Sequence, residues 1–164
     1  MITSLKHYLP TYSLLLALIT TLHAPGSIAA EQEDIFEVLR GRWGGSGLMH
    51  LTQNRRERLV CDAQYSGSAT QLRIVIKCRS KFENIDLQAT LSANERRLAG
   101  VWEEKAYKAI GTIAGQAAEG EIKFYVGGNV LGTMTVTYNK RRQKVLIETK
   151  GIPMQKLQID MTRR

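Results

Sequence analysis

The stretch "LRIVIKC", Leu72 to Cys78, alternates: Leu72, Ile74, Ile76 and Cys78 fall on one side of an extended chain, and Arg73, Val75 and Lys77 on the other. A period of two is the mark of a β-strand with one face in an apolar interior. The pattern recurs downstream. "IDLQATL" puts Ile85, Leu87, Ala89 and Leu91 on one face, "IKFYV" Ile122, Phe124 and Val126, "MTVTY" Met134, Val136 and Tyr138, and "LQIDM" Leu157, Ile159 and Met161; "KVLIET" reads the same way. Turn-forming clusters separate these runs: "SGSAT" (66–70), "SANER" (92–96), "AAEG" (117–120), "VGGN" (126–129), "NKRR" (139–142) and "KGIP" (150–153). Short connections join antiparallel neighbours, and a succession of strands with one apolar face must close on itself or form a sandwich. Even hairpin spacing favours a meander. The expected fold is therefore all-β, an antiparallel up-and-down barrel of about eight to ten strands. Gly100, Gly111, Gly115 and Gly132 sit inside strand segments, where they let a tightly curved sheet bend or another side chain approach, a generally high glycine content being the plainer reading.

Upstream of the first strand, "EQEDIFEVLRG" has acids at its start, Ile35, Phe36, Val38 and Leu39 within, and Arg40 before a terminating Gly41. It predicts a short amphipathic helix whose charges complement its dipole. "RGRWGGSG" follows, and it sets one tryptophan, Trp43, among four glycines. "GVW" (100–102) echoes "GRW" (41–43): each has a glycine two residues before its tryptophan, Trp102 or Trp43, so the two share a face if both segments are strands.

The first thirty residues read as a cleaved secretory signal. Lys6 and His7 precede the apolar run "SLLLALITTL" (Ser13 to Leu22), and "PGSIAA" supplies small residues for cleavage near Ala29 or Ala30. A membrane span needs about 20 apolar residues, and this run is broken by Thr20, Thr21, His23 and Pro25. Residues 31–164 are then a single β-barrel domain, without an integral span, in a periplasmic or secreted setting. The whole chain has 23 bases and 15 acids; Lys6 alone precedes residue 31, so the mature part has 22 and 15, a net charge of +7. In an oxidising compartment its two cysteines, Cys61 and Cys78, form a disulfide more readily than a metal or redox site. They lie eight and nine residues from Ala69 and can face each other across one hairpin.

Catalytic material is scarce. His50 is the one histidine after the signal, too little for a common zinc site or a Ser-His or Cys-His arrangement. Glu103 and Glu104 are adjacent in a strand, so they point to opposite faces and cannot share acid–base work. No phosphate-binding or dinucleotide loop occurs. No catalytic residue, metal or cofactor is expected, and the protein reads as a non-enzyme. Bases cluster at turns: Arg55, Arg56 and Arg58; Arg96 and Arg97; Lys140, Arg141, Arg142 and Lys144. In a meander the first cluster lies at the end opposite the other two, so no single nucleic-acid face forms. Arg96, Arg97, Lys140, Arg141 and Arg142 remain candidates for one rim that meets an anionic envelope component, a solvated surface being the plainer reading. An outer-membrane barrel would show an apolar outer face and aromatic girdles. Here that face has Arg73, Lys77, Asp86, Gln88, Lys123, Gln158 and Asp160, and aromatics are 7% of the chain.

A helix followed by G-x-W at the first strand resembles the opening of calycin-type barrels, the lipocalins, avidins and their relatives. The resemblance implies that Trp43 lies across one end of the barrel, and that a basic residue of the last strand, Arg163 or Arg164, stacks on it. The longer order "GRWGGSG", "ERLVCDAQY", "LRIVIKC", "LAGVWEE", "GTIAG" and "LQIDMTRR" is similar to a family of small exported alphaproteobacterial proteins, mostly uncharacterised. That likeness spans nearly all of residues 31–164 and implies a periplasmic β-barrel, with no activity to transfer. A fainter likeness is to periplasmic metalloprotease-inhibitor barrels, small and exported with one disulfide, though Glu31 to Glu37 match no inhibitory motif.

The functional expectation is a periplasmic, non-enzymatic binding or envelope-associated barrel that holds a small apolar ligand, with Trp102, Glu104 and Phe124 as candidate lumen contacts. A salt bridge to a neighbouring arginine is the plainer reading of Glu104. The alternative is a protein-binding module, such as a protease inhibitor, that uses a sheet edge or the N-terminal segment.

Overall fold

A computed structural model describes residues 34–164. The signal-peptide reading of residues 1–30 lies outside them. Ten strands follow one another: β1 (Gly41–Leu51), β2 (Arg56–Gly67), β3 (Gln71–Arg79), β4 (Asn84–Asn94), β5 (Arg97–Glu104), β6 (Ala109–Ala118), β7 (Glu121–Gly128), β8 (Leu131–Tyr138), β9 (Arg142–Lys150) and β10 (Met154–Arg163). Each is antiparallel to the next, and β10 returns to pair with β1, which closes an up-and-down barrel. Closure leaves no strand with an unpaired edge.

The alternation seen in the sequence fixes what points inward. Leu72, Ile74, Ile76 and Cys78 of β3 are buried, as are Ile85, Ala89 and Leu91 of β4, Ile122 and Phe124 of β7, and Leu157, Ile159 and Met161 of β10. Glu104 and Gln143 are the polar residues buried among them. Closure also accounts for the glycines around Trp43. Gly45 and Gly47 of β1 stand opposite Met161 and Ile159 of β10. A Cβ on Gly45 would come within 2.0 Å of the Asp160 carbonyl oxygen, so the seam can form only where that side chain is missing.

The helix expected ahead of β1 does not form in the described part of that segment. Ile35–Leu39 is a run of turns in which the N–H groups of Leu39 and Arg40 both donate to the Phe36 carbonyl, at 2.9 and 3.1 Å. Phe36 and Leu39 are both fully buried. A helix nucleus is costly for so short a segment, and the turns suffice to bring both side chains into the core.

The turns alternate between two ends. Connections at 68–70, 95–96, 119–120 and 139–141 surround one end, here the floor, together with residues 34–40 and Arg164. Connections at 52–55, 80–83, 105–108, 129–130 and 151–153 surround the other, the mouth. Arg55, Arg56 and Arg58 therefore belong to the mouth, and Arg96, Arg97, Lys140, Arg141 and Arg142 to the floor.

Cys61 of β2 and Cys78 of β3 are direct cross-strand partners joined by a disulfide, with their Cα atoms 4.1 Å apart. A disulfide in such a barrel fits an oxidising, extracellular or periplasmic compartment. Replacing both cysteines by alanine should lower unfolding stability by about 3 kcal/mol in the chain-entropy model. Denaturant titration of the double variant checks it, and the strand content by circular dichroism should stay unchanged.

Candidate functional site

The floor is sealed by side chains from three stretches of chain. Trp43 is buried, and its indole N–H donates to the Leu39 carbonyl at 2.8 Å. The Arg163 guanidinium lies over the indole, 4.5 Å from the ring centre. It also donates to the carbonyls of Arg40 (2.7 Å), Lys140 (2.9 Å) and Val38. One planar cation thus covers the ring face and ties the N-terminal segment, the β8–β9 turn and the last strand together. Arg164, the other arginine considered for this position, instead pairs with Asp62 on the outer surface at 2.6 Å. Beneath Trp43, Phe36 and Leu39 plug the barrel, and Asp34 accepts two hydrogen bonds from Arg40, at 3.0 and 2.6 Å.

Towards the mouth the interior is not filled. A cavity of about 80 Å³ is walled by Ile74, Ile85, Leu87, Ala89, Trp102, Ala109, Ile113, Phe124, Met134, Ile147 and Leu157, with Tyr107, Val130 and Ile152 contributed by mouth loops. That is roughly half the volume of an engineered apolar cavity that takes up benzene. Trp102 lines it with its indole N–H donated to the Gly127 carbonyl at 3.2 Å. The indole passes directly over Gly111, where a Cβ would sit 2.8 Å from Nε1 and 1.6 Å from the Gly127 oxygen. Glycine is needed there for the ring to reach its acceptor.

All three residues considered as lumen contacts, Trp102, Glu104 and Phe124, border this cavity. Glu104 makes no salt bridge with an arginine. One of its oxygens accepts the Asp86 N–H at 2.5 Å and the other the Tyr107 N–H at 2.7 Å, so the buried carboxylate clasps β4 to the β5–β6 loop. Tyr107 donates its hydroxyl to Glu83 at 2.6 Å. Burial and the Glu83 carboxylate push that phenol above its usual value, and it remains a donor at neutral pH. Thr149 donates to the Met154 carbonyl. Among the described residues, the buried side-chain polar atoms without a partner belong to Tyr65, Asp86 and Gln143, and none of these lines the cavity.

Two groups of residues complete the picture. Tyr107, Val130 and Ile152 in the mouth loops and Met154 at the start of β10 were not legible as site residues, because none belongs to an alternating apolar run and their chemistry is ordinary. Arg96, Arg97, Lys140, Arg141 and Arg142 surround the sealed floor, remote from the opening. His50 ends β1 near the mouth, on the outer face and only partly exposed. Among the described residues, no three His, Cys, Asp or Glu side chains are grouped as a metal site, and no helix is long and apolar enough to cross a membrane.

No protein-family model matches the sequence, and no curated protein matches it. Solved structures do. The chain is similar to Rv2717c from M. tuberculosis, with a TM-score of 0.62 at 11% identity over 82% of this chain and 99% of that one. It is also similar to the S-type phycobiliprotein lyase CPES from Guillardia theta, with a TM-score of 0.51 at 14% identity over 79% of this chain and 89% of that one. At such identities the likeness is one of fold alone, the closed ten-stranded up-and-down barrel.

Replacing Arg163 by alanine removes the cation over Trp43 and three hydrogen bonds, and should cost about 2–3 kcal/mol. Arg164→Ala should stay within about 0.5 kcal/mol of the parent. Thermal or denaturant unfolding of the two variants separates these outcomes. The hydrogen bonds from Arg40 hold the Asp34 carboxyl below its ordinary value of 3.8. Its contribution is therefore complete above that value and is lost as pH falls below it, through the lowered folded-state value. Trp43 fluorescence in a Trp102→Phe background should report loosening of the floor in that acid range, and Asp34→Asn should show the loosened signal already at neutral pH.

Proposed function

We propose that this protein is a non-enzymatic binding barrel of an exported compartment, which takes the apolar part of a small ligand into its lumen through the mouth. The observation that carries the reading is the cavity: apolar walls, a sealed opposite end, and polar groups of Trp102, Glu104, Tyr107 and Thr149 at its border that are held in hydrogen bonds within the protein. Such a space favours hydrocarbon over water. Catalysis would need a nucleophile or a base aimed at the substrate. Glu104 and Tyr107 have their oxygens committed to the protein itself. The lyase activity named for one barrel of similar fold belongs to that protein; here the paired polar groups support binding. The protease-inhibitor alternative needs a free N-terminal segment or sheet edge. Residues 34–40 are pinned under the barrel by Phe36, Leu39 and Arg163, and the closed sheet presents no edge, which weighs for the lumen.

Methyl-detected NMR during titration with 1-octanol tests the reading. Shifts should concentrate on Ile113, Met134, Ile147 and Leu157, and Ala109→Phe, which fills the cavity from its wall, should weaken binding at least about tenfold. Shifts confined to the outer surface, or binding unchanged in Ala109→Phe, would falsify it. Export is tested separately: the mature protein from its own cells should begin at residue 30 or 31.

A further inference from the structure

We propose that the mouth selects an anion, so that the ligand is a small amphiphile with its hydrocarbon tail in the lumen and a carboxylate or phosphate-type head among Lys105, Lys108 and Arg55. The proposal rests on the lumen reading above and adds the chemistry of the head group.

Tyr107 connects the cavity to this charge. It lines the cavity from the 105–108 loop, with Lys105 and Lys108 on either side of it in the chain. Its hydroxyl donates to one oxygen of Glu83, and the Arg55 guanidinium stands 3.9 Å from the other. The side chains of Arg55 and Lys105 are both more than half exposed, at 56% and 51%. Among the described residues, Lys108 joins no ion pair, and the Lys81 ammonium lies over the Phe82 ring rather than on a carboxylate.

The acids nearby keep their charge but are fixed in place by the protein. Glu104 accepts two backbone N–H groups, Glu83 accepts the Tyr107 hydroxyl, and Glu103 faces outward, 3.7 Å from Lys105. Counted by charge, the mouth loops and the strand ends that flank them carry seven cations, Arg55, Arg56, Arg79, Lys81, Lys105, Lys108 and Lys150, against four acids, Glu57, Glu83, Glu103 and Glu104, and the field there attracts a negative group. A head group cannot go deeper. The Trp102 indole, the Tyr107 amide and the Thr149 hydroxyl at the border of the lumen are already bonded, and no charged side chain but Glu104 lines it, so a buried anion would find no cation to replace its water. The volume adds a limit on the tail. The cavity, about 80 Å³, is roughly half the size of an apolar cavity that takes up benzene, so an octyl-length chain must turn Ile152 and Met154 outward or thread between them. The basic cluster at the floor offers no comparable site, because Phe36, Leu39 and Trp43 fill the barrel behind it.

The test compares four ligands with one tail at pH 7.5 and low ionic strength: octanoate, octyl phosphate, 1-octanol and octyltrimethylammonium. Octanoate and octyl phosphate should bind about five- to tenfold more tightly than octanol, and the ammonium more weakly. The tighter of the two anions identifies the head. The advantage should shrink in 0.5 M salt, where screening is short-ranged. It should also vanish in Lys105→Gln/Lys108→Gln, whose octanol affinity stays that of the parent, and persist in Lys140→Gln/Arg141→Gln at the floor. Equal affinity for octanoate and octanol, or an advantage that survives both salt and the mouth variant, overturns anion selection and leaves the lumen reading intact. Failure of octanol to enter the cavity overturns both.

Discussion

Closure of β1 against β10 is the constraint on which the rest of this molecule depends. Once Trp43, Gly45, Gly47 and Met49 lie opposite Arg163, Met161, Ile159 and Leu157, the pleat leaves each strand one choice of inward face. A slip of one residue at any seam would turn Leu72, Ile74 and Ile76 to solvent and bring Arg73 and Lys77 into the core. The Cys61–Cys78 disulfide pins one hairpin against such a slip, and the side-chain-free approach at Gly45 pins the seam that closes the ring.

The two ends of the barrel resolve the same geometric problem differently. At the floor, apolar bulk and one cation do the sealing: Phe36, Leu39 and Trp43 fill the space, and Arg163 covers the indole and ties the carbonyls of Val38, Arg40 and Lys140 together. At the mouth, loops contribute single side chains, Tyr107, Val130 and Ile152, and leave a space behind them. Directionality follows from this contrast, because a ligand that enters must do so where side chains, not backbone stitching, form the barrier.

Glu104 shows how burial alone misleads about function. A carboxylate at the edge of an apolar cavity invites a reading as a ligand contact or an acid. Here its two oxygens hold two backbone amides, and its work is to keep the β5–β6 loop in place over the cavity. That loop in turn presents Tyr107 to the lumen and Lys105 and Lys108 to solvent.

Much of the barrel was legible because a two-residue period reports one buried face wherever in space the strand lies; the inward sets of β3, β4, β7, β8 and β10, and the turns rich in glycine, serine or asparagine, follow from it directly. Turns at 52–55, 80–83 and 105–108 were not, since no glycine or proline marks them and Gln53, Asn54 and Lys108 take up positive φ under tertiary constraint. Nor was the conformation of residues 34–40, a run of turns in which Phe36 and Leu39 are both buried. By itself the sequence determined the fold class, the disulfide and the apolar interior, all of which depend on patterns within or between neighbouring strands. Only the tertiary structure decided which arginine covers Trp43, which basic cluster faces the opening and how much of the lumen stays empty, because each depends on side chains from distant segments meeting across the closed ring.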